Sequence, residues 1–145
     1  MTGDECLWGD IAMIAVYENY RLMPMSLALE EMAALHREMA EEIGSDEDAL
    51  ELYGDLLAAA VKYLDSRAHW PLWSREKKLE NDAARTSRHN MVILSFNQLA
   101  RYLKMQGKAA GWRDVLGEEA ENSGYRKRLG DFACYLVFAE SLNAR

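Results

Sequence analysis

Asp82, Arg85 and His89 stand at i, i+3 and i+7 within a segment that reads as one long helix, a spacing that keeps all three on one side of it. Projecting the apolar stripe of Phe96 and Leu103 backwards puts them on the same inner face. Charged residues are rarely buried unless paired, so Asp82 with Arg85, and Arg85 with His89, are expected to shield and pair with one another. On the last helix Arg128, Asp131 and Tyr135 repeat the spacing beside the core stripe. Two such polar edges facing each other make either a structural ion-pair network or a polar pocket. The network is the simpler reading, and the pocket is where a small anionic ligand would be sought.

Metal chemistry is the commonest route to an enzyme in a helical bundle, through carboxylates and histidines on facing helices. The Glu-x-x-His pattern of di-iron sites is missing, because Ala33, Ser66 and Thr86 precede His36, His69 and His89 by three. The three histidines also fail the HExxH pattern. His36 lies on an apolar stripe and reads as a hydrogen-bonded core histidine. Glu38 and Glu41 share a helix face at i, i+3, and Asp48 with Glu51, or Glu51 with Asp55, could face them from the next helix. This arrangement loosely resembles the MazG-like, all-α, magnesium-dependent nucleotide pyrophosphatases, with the second pair reversed or one residue too long. The resemblance implies a metal held by Glu38, Glu41, Glu51 and Asp55. The plainer reading is a pair of solvated helix faces.

Arg126-Lys127-Arg128 and the stripe Arg101, Lys104, Lys108 are the basic clusters. Nucleic-acid binding needs a contiguous positive surface, whereas this chain is acidic and its first half would repel a phosphate backbone. Trp70, Pro71 and Trp73 form an aromatic loop that either closes one end of the core or marks a protein-partner site. Nucleophilic triads and phosphate-cradling glycine loops are absent. Gly107 and Gly111 are too widely spaced for a dinucleotide fingerprint and follow a helix rather than a strand. No cofactor is expected.

The elements that must position these residues are all helical. A first helix is predicted over residues 4–22, where Leu7, Trp8, Ile11, Met13, Ile14, Val16, Tyr17 and Tyr20 fall on nearly every side. A helix apolar all round is buried all round, at the centre of the fold or against a second copy, and a homodimer through it is expected. After Pro24, Ser26 is placed to cap a second helix that ends at Gly44. Ser45, with Asp48 three residues on, resembles a capping box for a third helix, whose stripe is Leu50, Tyr53, Leu57, Ala60, Val61 and Leu64. Their short joint predicts antiparallel neighbours. Ser74 opens a long fourth helix reaching Gln106, a short turn covers residues 112–116, and a last helix covers residues 125–142. The fold expected is one all-α domain over 1–145, an irregular up-and-down bundle of about five helices with short connections.

Half of the 145 residues are apolar and only two are proline, which suits one packed core. Cys6 and Cys134 form no CxxC pair and are expected as reduced thiols. Acidic residues in the first twenty positions argue against a secretory signal, and no apolar run approaches the roughly 18 residues of a membrane span, so a cytoplasmic protein is expected. The net charge of −7 is split unevenly. Residues 1–60 carry fourteen Asp and Glu against Arg21 and Arg37, a balance of −12, while residues 61–145 carry fifteen Lys and Arg against ten acids, a balance of +5. Together these features favour a noncatalytic binding or regulatory protein. The alternative is a metal-dependent hydrolase acting on nucleotides, and charge alone also allows an antitoxin-like shield for a basic target.

Overall fold

A computed structural model describes residues 26–117 and 124–143, which fold as five helices with no strand among them. These are α1 (Leu29–Ile43), α2 (Glu47–His69), α3 (Arg75–Met105), α4 (Trp112–Leu116) and α5 (Tyr125–Asn143), with one 3-10 turn at Trp70–Leu72. The all-α bundle expected from the sequence is what forms. The helix predicted over residues 4–22, its dimer face and Cys6 lie outside the described residues. No helix among the described residues is long and apolar enough to cross a membrane.

Local chemistry sets the boundaries. Gly44, at φ 53, stops α1 and returns its N–H to the Ala40 carbonyl, a left-handed conformation that glycine adopts without Cβ strain. Asp46, rather than Ser45, caps α2, accepting from the N–H groups of Asp48 at 3.0 Å and Ala49 at 3.1 Å. Its carboxylate also accepts the Tyr102 hydroxyl at 2.9 Å, which ties the end of α3 to the start of α2. The Ala49 N–H first, and then the Tyr102 hydroxyl, hold the Asp46 carboxyl below its ordinary value. Ser74 caps α3 as expected, through Lys77 N–H. Ser26 does not cap α1; its N–H and hydroxyl both donate to Asp131 instead.

The main pairing is α2 against α3 rather than α1 against α2. It is antiparallel, since Asp46 meets Tyr102 at one end and Ser66 meets Arg88 towards the other. Helix α5 also runs against α2, with Tyr53 touching Glu140 and Arg67 touching Asp131. Between them lies a core of Leu56, Ala60, Leu64, Phe96, Leu99, Leu103, Phe132 and Leu136. Trp112 locks α4 onto this core. Its ring meets Phe96 edge-on, and its indole N–H donates to Glu42 at 2.6 Å. Cys134 is a free, buried thiol, pushed up to about 11 by burial.

On α3 the first buried residue is Val92. The seventeen positions before it extend beyond the close-packed core, with Lys78, Asn81, Arg85, Arg88 and His89 only half-buried. That overhang shapes the site.

Candidate functional site

The overhang leaves a half-open cleft between the end of α2, the first half of α3 and the start of α5. Helix α2 contributes Tyr63 and Arg67, and the following turn contributes Trp70, at i, i+4 and i+7 on one face. Helix α3 contributes Arg85, Thr86 and His89, and α5 contributes Arg126 and Lys127. Two adjoining depressions, of about 220 and 360 Å3, share Tyr63, Arg85 and Lys127. No described acidic residue lines either of them.

Each cation sits differently. The Arg85 guanidinium lies over the Trp70 ring, 4.4 Å from its centroid, and makes no ion pair with any described residue. Lys127 likewise has no described carboxylate partner. Arg126 donates to the neutral Asn90 side chain at 2.6 Å. Arg67 forms the back of the cleft and is anchored from behind, donating to Asp131 Oδ1 at 2.5 Å. Asp131 is fully buried, and its other oxygen receives both donors of Ser26. A buried carboxylate satisfied on both oxygens is the condition under which such a charge is tolerated.

Three rings line the cleft, Tyr63, His89 and Trp70, each with one face engaged. His89 stacks on Tyr63 at 4.9 Å between centroids, and Arg85 covers Trp70. His89 Nε2 donates to the Arg126 carbonyl at 2.8 Å; a carbonyl can only accept, so Nε2 carries the proton. Burial, reinforced by the charges of Arg126, Arg85 and Arg67, holds the imidazole below its ordinary value even though the Arg126 carbonyl favours the charged form. Burial also raises the Tyr63 hydroxyl, which therefore stays protonated and able to donate. Tyr63 fits because α5 has no side chain at Gly130. A Cβ there would lie 2.8 Å from the Tyr63 oxygen.

The residues singled out from sequence are thus distributed unequally. Arg85 and His89 line the cleft, paired to aromatic rings and a backbone carbonyl rather than to each other. Asp82 is exposed and joins no network among the described residues. It sits one residue off the half-buried line Lys78, Asn81, Arg85, Arg88, His89. Asp131 is a buried anchor behind the cleft, and Arg128 turns away to the Val115 carbonyl. Arg88, which the stripe projection passed over, binds the buried Ser66 hydroxyl at 2.6 Å.

The alternative metal residues Glu38, Glu41, Glu51 and Asp55 are all exposed on α1 and α2. No group of three His, Cys, Asp or Glu able to hold a metal exists among the described residues. The acids of that stretch with structural tasks are Asp46, the α2 cap, and Glu42, which receives the Trp112 indole N–H and the Ala110 N–H. His36 is hydrogen-bonded as expected, meeting Glu140 at 3.1 Å and Tyr53 at 3.2 Å.

The chain matches no family model, no curated protein and no solved structure.

Arg126 and Lys127 were visible in the sequence as a basic triplet, and Trp70 as part of an aromatic loop. What the sequence did not reveal is that the overhang of α3 brings both to Arg85. The i, i+4, i+7 line of Tyr63, Arg67 and Trp70 was the available signal. It mixes a cation with aromatic residues, so an apolar stripe search skips it.

Proposed function

We propose that this chain is a small noncatalytic binding protein, cytoplasmic, whose Tyr63–Arg85–Lys127 cleft takes a small anionic ligand. The observation that carries the reading is Arg85. In a chain of net charge −7, its guanidinium is held half-buried by Trp70 with no described carboxylate beside it, while Lys127 faces the same space. A positively lined concavity of this kind concentrates anions. No hydrogen bond joins a nucleophile to a base among the lining residues, since His89 Nε2 is taken by a backbone carbonyl. The buried free thiol of Cys134 suits a reducing compartment.

A thermal-shift titration tests the reading, because a ligand of the native state raises the melting temperature by mass action. At constant ionic strength, polyvalent anions should stabilise the protein, and Arg85→Ala should remove most of the effect. Equal stabilisation of the variant would refute the site.

The proposal extends to two protein contacts. A homodimer through residues 4–22 follows from the apolar residues on nearly every side of that segment, and sedimentation at micromolar concentration reads it directly. The turn at Trp70–Leu72, with Leu72 81% exposed and Trp73 half-buried, is offered as a partner surface.

A further inference from the structure

We infer that the ligand is a phosphate monoester, held by its phosphoryl group while its organic part projects into solvent. This rests on the anion-site reading above and narrows it. Three cations at the cleft have no described acid against them: Arg85, Lys127 and Arg126, the last held only by a neutral amide. The fourth, Arg67, is already balanced by Asp131. A monocarboxylate would answer one of the three charges that have no described acid. A phosphoryl group brings nearly two charges and three acceptor oxygens, enough to engage a guanidinium fork and an ammonium together. Tyr63 and Thr86 line the same space.

The aromatic rings decide the rest. Trp70 has Arg85 over it at 4.4 Å and Lys78 Nζ at 5.9 Å, and Tyr63 lies between His89 and the backbone at Gly130. The Trp70 face under Arg85 and the Tyr63 face against His89 are taken, which leaves a nucleobase or other flat group less ring surface to stack on. The two depressions, of about 220 and 360 Å3, are half-open, which leaves an organic part free to project into solvent. Trp70 is a positioning residue: it holds Arg85 so that the guanidinium is pre-aimed and loses little freedom when the ligand arrives.

Calorimetric titration of the full chain at constant ionic strength tests this with inorganic phosphate, glycerol phosphate and AMP, against malonate as a dianion built from carboxylates. The three phosphates should agree within about threefold, and each should bind at least about tenfold more tightly than malonate, as expected where a fork meets a phosphoryl group. Arg85→Lys keeps the charge but loses the fork, and should cost about tenfold. Trp70→Leu should weaken phosphate several-fold while removing no charge, and Trp70→Phe, which restores a ring beneath the guanidinium, should recover most of it. Malonate binding as tightly as phosphate would overturn the inference and leave an unselective anion site. AMP binding more than about tenfold tighter than glycerol phosphate would overturn it by showing that the base is read. Binding of none of the four would remove the anion-site reading itself.

Discussion

Arg67 and Arg85 stand one behind the other in the cleft, yet the physics of each is opposite. Arg67 neutralises Asp131, a carboxylate with no exposure at all, and removing either partner strands a buried charge. Asp131→Ala is therefore expected to destabilise by about 3–5 kcal/mol, as read by chemical denaturation. Arg85 rests only on a ring at the cleft surface, so Arg85→Ala should cost about 0.5–1 kcal/mol, with its larger effect on anion binding. Similar losses from both variants would mean that Arg85 belongs to the structural network after all. His89 adds a pH dependence. Its folded-state value lies below its unfolded value, so the native state carries fewer protons and the contribution is fully present above about pH 6.5. It is lost as pH falls from there through the lower native value. Melting profiles between pH 7 and 5 should show this slope in the parent chain and a flatter one in His89→Gln. An unchanged slope would contradict the assignment.

At the scale of elements, the cleft exists because three helices end or overhang at one place. Helix α3 leaves the close-packed core before Val92, α2 finishes at His69, and α5 begins at Tyr125. The four longer helices after residue 26, the Ser74 cap and the Gly44 stop were legible in the sequence, because each depends on local chemistry or periodicity within its own segment. The Asp46 cap was misplaced by one position, since Ser45 and Asp46 are both good caps and only the Tyr102 hydroxyl, from a distant helix, favours the second. Asp82 was misplaced for a related reason: extending a 3.6-residue period over four turns accumulates error, and Asn81 took the half-buried line instead. Contact between α2 and α5 also turns on one position that sequence alone leaves unmarked. Gly130→Ala would raise intrinsic helix propensity, yet its methyl would press on a Tyr63 ring backed by His89. The crowding should prevail, with a loss of about 1–3 kcal/mol and weakened anion binding. A more stable variant would show that Tyr63 can move aside.

For the whole molecule, the uneven charge split seen in the sequence acquires a place. The acidic first half supplies internal acceptors such as Asp46 and Glu42, along with exposed acids on α1 and α2, while four cations of the second half, Arg67, Arg85, Arg126 and Lys127, converge at the end of α2. The split itself was legible; the convergence was not, because it joins Arg67, Arg85 and Lys127 across three helices. The other basic stripe, Arg101, Lys104 and Lys108, lies at the opposite end of α3 and serves as an internal control. Amide chemical shifts, followed by NMR as sodium phosphate is added at constant ionic strength, report directly whether the Tyr63–Arg85–Lys127 cleft binds an anion. Saturable changes concentrated at Tyr63–Trp70, Arg85–His89 and Arg126–Lys127 are expected. Changes that fail to saturate, or that are as large at Arg101, Lys104 and Lys108, would contradict binding at the cleft.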